Sequence, residues 1–283
     1  MAQGALPAGM VQEKARILAH RRVALDHHWM RLKSPAAARR ARPGQFVHVR
    51  CGEGVESPLL RRPLSLYDAD PRAGTFEFIY KVVGLGTQAL SRFRAGEKLD
   101  FLGPLGNRFE LSPRARKIFL VGGGVGIPPL YFLAKDLAAK RRGVQVEAFL
   151  GARTKEWVLC ASAFRKLGVP VHTATDDGTL GYRGSVVDLL KRSLSPGNGG
   201  ETGTTLCVCG PTPMMAAAAA LAHQRGIPAR VSLEERMGCA MGCCWGCVVE
   251  VATQPANAHA RFQRVCTEGP VFDAEEILWE AGG

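Results

Sequence analysis

The chain is 283 residues long, 46% hydrophobic, and carries a formal net charge of +12 at pH 7. This length suits two domains, each able to bury its own core. No apolar run reaches the roughly eighteen residues of a membrane span, and the start lacks the charged, apolar, small-residue order of a secretory leader.

Nine cysteines in such a chain read as reduced thiols and metal ligands rather than a secreted disulfide frame, so a cytoplasmic location is expected. The positive charge is concentrated early: residues 1–50 hold ten Lys and Arg against Glu13 and Asp26. Neither nucleic acid nor a membrane is an expected partner. The run Arg39-Arg40-Ala41-Arg42 has no interleaved aromatic residues and no accompanying motif. It reads as a solvated basic loop between strands. The excess charge helps attract phosphate-bearing cofactors.

In chain order, Val11–Ala19 and Val23–Leu32 are strand-like with a turn near Arg21. Gln45–Arg50 alternates after the turn pair Pro43-Gly44, and Leu64–Tyr67, Thr75–Val83 and Lys98–Leu102 continue the pattern. Strands at this spacing predict a small barrel, interrupted by a short helix over Gln88–Phe93. After Pro113 the rhythm changes. Strands are expected at Ile118–Val121, Val144–Leu150, Val169–Thr175 and Leu206–Cys209. Helices are expected at Pro128–Arg141, Ser162–Leu167, Val186–Ser193 and Met214–Arg225, with a Gly-rich loop over Ser195–Thr204. Alternation of this kind implies a parallel sheet covered on both faces. From Ser232 the chain is a cysteine-rich region with a short strand at Val248–Val251. The expected fold is therefore α+β and multidomain: a barrel over 1–112, an α/β nucleotide domain over 113–231 and a cysteine-loop subdomain over 232–283.

Two phosphate devices sit on the barrel. Arg62-Pro63-Leu64-Ser65 is expected to close the third strand region; its Arg is a forked, permanent cation, and Ser65 offers a small hydroxyl to a flavin ring edge. Ile79-Tyr80-Lys81 ends a strand, and Gly84-Leu85-Gly86-Thr87 opens a helix, where free N–H groups and the dipole favour an anion. Together they fit a dinucleotide such as FAD. In the second half, Gly122-Gly123-Gly124-Val125-Gly126 follows the first strand and precedes a helix, so backbone amides can approach a pyrophosphate. It lacks the strict G-x-G-x-x-G order. Cys209-Gly210-Pro211 repeats the strand-to-helix position later. Arg153, after the second strand, leaves NADP open beside NAD.

Cys239, Cys244, Cys247 and Cys266 follow C-x4-C-x2-C-x18-C, the plant-type spacing for a [2Fe–2S] cluster. Zinc also takes four thiolates, but structural zinc sites offer two short pairs rather than three plus one. Gly238, just before the first thiol, and Gly242 and Gly246 between the thiols let backbone come close. Cys243 reads as a bystander. His27 and His28 have no paired ligands, and neither a Ser/His/Asp triad nor a carboxylate pair stands out, so no catalytic side chain is assigned.

The runs Arg62–Ser65, Tyr80–Thr87 and Gly103-Pro104-Leu105-Gly106-Asn107 resemble the ferredoxin–NADP reductase superfamily. Leu64 stands where that superfamily's Arg-x-Tyr-Ser has Tyr. Within it, Ser232–Met237 before Cys239 and Val265–Phe272 around Cys266 are similar to the electron-transfer subunits of class 1B dihydroorotate dehydrogenases. The x18 gap implies an inserted hairpin tip at Gln254–Arg261. The resemblance implies an FAD barrel, an NAD(H) domain with Cys209 beside the nicotinamide, and a cluster that passes electrons singly outward. It also implies a partner, an FMN-containing dihydroorotate dehydrogenase catalytic subunit in pyrimidine biosynthesis, with two copies of each subunit. The rival keeps the cofactors and changes the partner: a diaphorase-type subunit of a hydrogenase, sulfide dehydrogenase or ferredoxin–NAD(P) reductase complex. A zinc-stabilised flavin-binding regulatory module is the non-redox alternative.

Overall fold

The computed structural model describes residues 10–52, 58–141, 143–194, 203–252 and 261–279. Its first part is a closed barrel of β1 (Val11–Ala24), β2 (His27–Lys33), β3 (Phe46–Val49), β4 (Arg62–Asp70), β5 (Thr75–Lys81) and β6 (Lys98–Leu105). The strands pair antiparallel in the order β1-β2-β5-β4-β3-β6. Strand alternation explains its filling. Phe76, Phe78 and Tyr80 of β5 join Val47, Val49, Leu66 and Phe101 in one buried cluster, while Ile79 packs on the other side.

Four local expectations change. The first strand does not break at Arg21 but runs to Ala24, and the turn falls at Asp26, with φ 57. Charged residues on an exposed strand face had the look of a turn; Arg21 instead stacks on Trp29 opposite it, at 4.7 Å. The basic run is not simply loop: α1 (Pro35–Arg40) takes in Arg39 and Arg40. Ser34 accepts from the N–H of Ala37 at 3.2 Å, Pro occupies the first turn, and the arginines sit at the negative end of the dipole. Arg62–Ser65 opens β4 rather than closing a strand, and α2 (Leu85–Ser91) starts three residues earlier than expected.

The second part is a seven-stranded sheet. It holds β7 (Lys117–Gly123), β8 (Gln145–Ala152), β9 (Val171–Thr175), β10 (Tyr182–Arg183), β11 (Thr204–Cys209) and β12 (Ala229–Ser232) in parallel. Its helices are α3 (Ile127–Lys140), α4 (Ala161–Lys166), α5 (Val186–Ser193) and α6 (Thr212–Gln224). Ile118 and Leu120 of β7 face one core cluster, and Phe119 and Val121 the other, as a strand covered on both faces requires. Thr204 belongs to β11, and the rest of the expected Gly-rich loop lies mostly outside the described residues.

The C-terminal region forms a two-stranded sheet, β13 (Val248–Glu250) with β14 (Phe262–Arg264). It then returns β15 (Val271–Asp273) antiparallel onto β12. The segment bearing the last cysteine is therefore sewn into the nucleotide sheet. Most of the expected hairpin tip, Gln254–Ala260, lies outside the described residues. Barrel and sheet meet where Tyr67 stacks on Tyr131 at 4.8 Å and Lys135 bonds Asp68 at 2.6 Å. Among the described residues no helix is long and apolar enough to cross a membrane.

Candidate functional site

On the barrel, Leu64 and Leu66 pack inward, so Pro63 and Ser65 point outward. The Arg62 guanidinium lies over Gly86: a Cβ there would stand 2.7 Å from Arg62 Nε. The two phosphate devices read from sequence thus meet at one place. The Thr87 hydroxyl accepts from the N–H groups of Val83 (2.9 Å) and Gly84 (3.2 Å) and donates to Gly84 O (3.1 Å). It shapes the turn rather than offering a free group.

Ile79, Tyr80 and Lys81 diverge. The Tyr80 ring is 2% exposed and inside the barrel cluster. His20 Nδ1 lies 2.7 Å from Phe93 O, which calls for a proton on that nitrogen. Nε2 then accepts from the Tyr80 hydroxyl at 3.0 Å. Burial pushes the Tyr80 phenol up from its ordinary range. Ile79 packs toward the second domain, and Lys81 Nζ lies 3.7 Å from the Trp157 ring centre.

In the sheet, β7 has β8 on one side and β11 on the other, so the strand order reverses between β7 and β11. Open α/β sheets bind ligands outside the carboxyl ends of the strands at such a switch. Both candidate loops lie there. Gly122 pairs with Cys209 across the strands. A Cβ on Gly126 would collide with the Cys209 carbonyl, and one on Gly123 would stand 2.7 Å from Met214 Sδ and 3.0 Å from Pro211 Cδ. Gly124 takes φ 54 and opens onto free space. Gly210 packs against Gly123 N, at 3.0 Å from its ideal Cβ. The Cys209 thiol is fully buried, and burial raises it strongly.

The four cysteines of the motif lie near one another. Cys239 neighbours Cys244 and Cys243, and Cys266 neighbours Cys247. Cys239 Sγ accepts from the N–H groups of Met241 and Cys244, each at 3.4 Å. Burial opposes ionisation of Cys239, but these hydrogen bonds outweigh it and bring the thiol down to about 6. Burial, then contact with Cys247, pushes Cys266 up to about 12. Gly238 and Gly246 flank Cys244 Sγ, which lies 3.5 Å from either ideal Cβ. Among the described residues no three His, Cys, Asp or Glu side chains gather about one point. Two irons take a thiol pair each, and the donor set fits that. Cys243, exposed, also touches Cys239.

Sequence reasoning missed the residues that hold this loop. Arg264 bonds the Glu268 carboxylate at 2.9 and 2.6 Å and the Gly242 carbonyl at 2.7 Å, with its guanidinium 4.8 Å from the Trp245 ring centre. The opposite charges four residues apart around Cys266 were the available signal. His48, on the outward face of β3, is also new: it is 1% exposed, and among the described residues its ring nitrogens make no well-formed hydrogen bond.

Three family models match. Residues 14–109 match an oxidoreductase FAD-binding domain, 120–220 an oxidoreductase NAD-binding domain, and 234–278 the iron–sulfur cluster binding domain of dihydroorotate dehydrogenase B. Fold and matches define a redox flavoprotein that uses a nicotinamide nucleotide and carries an iron–sulfur domain. Among curated proteins, the electron transfer subunit of dihydroorotate dehydrogenase B (NAD(+)) from Desulforamulus reducens is 40% identical, over 94% of this chain and 98% of its own. That from Geobacillus thermodenitrificans is 39% identical over the same shares. The chain belongs to this family of electron transfer subunits. Among solved structures, a chain of an NADH-dependent reduced ferredoxin–NADP oxidoreductase superposes with TM-score 0.81 at 33% identity, covering 95% of this chain and 91% of that one. The ferredoxin reductase of a carbazole 1,9a-dioxygenase, at TM-score 0.63 and 23% identity over 77% and 67%, shares the fold.

Proposed function

We propose that the chain carries electrons between NAD(H) and a separate catalytic subunit acting on dihydroorotate, by way of FAD and a [2Fe–2S] cluster. When bound, the flavin accepts a hydride and the cluster moves electrons one at a time. The observation that carries the reading is the nearness of four thiols on a segment that both joins the nucleotide sheet through β15 and packs on the barrel.

The residues divide the work. Arg62, Gly86 and Thr87 form the seat for the FAD pyrophosphate. Pro63, Leu64 and Ser65, with the strand end Ile79-Tyr80-Lys81, form the bed for the flavin ring, Tyr80 through its backbone. Gly122, Gly123 and Gly124 with Cys209, Gly210 and Pro211 receive NAD(H), and the buried Cys209 keeps water from the ring. Cys239 and Cys244 hold one iron, Cys247 and Cys266 the other. The units are 1–112, 113–231 and 232–283, the last lending β15 to the second. The partner holds FMN and the dihydroorotate site, with two copies of each subunit, in the cytoplasm.

Co-purification with an FMN-containing dihydroorotate dehydrogenase subunit, followed by an assay of NADH-linked orotate reduction, tests this. Activity in the complex and not in either subunit alone is the expected result. A chain that binds no such subunit and serves a ferredoxin or hydrogenase instead replaces the partner assignment with the diaphorase-type reading.

A further inference from the structure

Among the contacts that fasten the segment bearing the last cysteine to the barrel, the side chain of Asn107 makes three hydrogen bonds. Asn107 lies two residues past the end of β6. Its backbone N–H donates to Gly269 O at 2.7 Å. Its Nδ2 donates to Glu268 O at 2.8 Å and Val271 O at 2.7 Å, and its Oδ1 accepts from the Val271 N–H at 2.9 Å. Only a planar amide supplies both donors and the acceptor together. A carboxylate would set an oxygen against two carbonyls, and an apolar side chain would leave three backbone groups short of partners.

The surroundings are close-fitting. A Cβ on Gly106 would collide with Pro270, and one on Gly44 would stand 2.9 Å from Val271 Cγ2. Gln45 Nε2 donates to Gly106 O at 2.9 Å. The barrel also links this seat to the flavin strand. Ser65 pairs with Phe46, and Phe46 with Leu105. Adjacent strands lie about 4.8 Å apart, so two strand spacings separate the bed of the flavin from the strand that ends beside Asn107. Phe46 and Leu105 share a buried cluster with Cys247 and Cys266.

We propose that Asn107 is a positioning residue for electron transfer, fixing the separation between the flavin and the Cys247–Cys266 side of the cluster. This rests on the cofactor seats assigned under the proposed function. Asn107 meets neither flavin nor thiol; it acts through residues 268–271, just beyond Cys266.

The test uses the complete complex with Asn107→Ala and, separately, Gly106→Ala, which wedges Pro270 while keeping every hydrogen-bonding atom of Asn107. Iron and labile sulfide per chain, flavin bleaching by NADH in stopped flow, and cluster reduction by freeze-quench paramagnetic resonance are measured. The first two should match wild type. Cluster reduction should slow severalfold in both variants, because electron tunnelling weakens steeply as donor and acceptor move apart. Unchanged cluster reduction in Asn107→Ala overturns the inference. So does joint loss of flavin and cluster, which would make Asn107 merely structural. A wild-type chain without iron and sulfide overturns the proposed function itself, and this inference with it.

Discussion

A thiol surrounded only by apolar atoms holds its proton. Burial pushes Cys160 and Cys207 up to about 12, whereas Cys239, with two backbone N–H groups aimed at its sulfur, comes down to about 6. A thiol that ligates iron must ionise, and under the proposed function bound iron would supply the charge that completes this for Cys266. Cys243 has no seat of this kind, so Cys243→Ser should keep full iron and labile sulfide per chain; a loss would place it among the ligands. His48 makes a different prediction. Burial first, then the Arg61 charge, lowers it to about 4, while the nearby backbone of Arg61 and Met237 opposes the shift without cancelling it. Between its unfolded value of about 6.5 and about 4 the unfolded chain binds the extra proton. Stability should therefore fall as pH drops through that window, by on the order of 3 kcal/mol. Denaturant melts of wild type and His48→Gln at pH 7 and pH 5 check this: the variant should show the smaller loss. At this scale the cysteine spacing was legible because three ligands are near neighbours. Asn107 was not, because its side-chain partners lie 161 and 164 residues away.

Elements were legible where pattern is local. The change from strands to alternating strands and helices after Pro113 gave both architectures. The Ser34-Pro35 start of α1 was also in view, but the three arginines of the basic run outweighed it. Which way a strand faces depends on barrel closure, and this is why Tyr80 turned out to lie inside. The meeting of β7 and β11 yields a test. The ideal Cβ of Gly126 overlaps the Cys209–Gly210 backbone, and such overpacking costs about 1–3 kcal/mol. Gly126→Ala should raise the Kd for NADH while flavin content stays at the wild-type level. Gly86→Ala, which displaces the Arg62 guanidinium, should do the reverse: retained FAD falls, and fluorescence titration still finds NADH binding. The opposite pairing of effects would exchange the two seats.

Across the described residues the three parts are joined in a closed circuit. Tyr67–Tyr131 and Asp68–Lys135 bind barrel to sheet, β15 binds sheet to thiol loop, and Asn107 binds thiol loop back to barrel. Part of the loop's surface is open: Met241 is 42% and Trp245 49% exposed. An electron carrier needs its redox centres held in fixed succession, and this closed circuit of contacts provides that. The central claim is that electrons leave the flavin only through the thiol-held cluster. Cys244→Ser in the complete complex tests it most directly, with NADH-driven flavin bleaching and electron delivery to the catalytic subunit measured side by side. Bleaching at the wild-type rate with delivery abolished is the expected result. Delivery that persists without the cluster, or loss of both steps together, would contradict it.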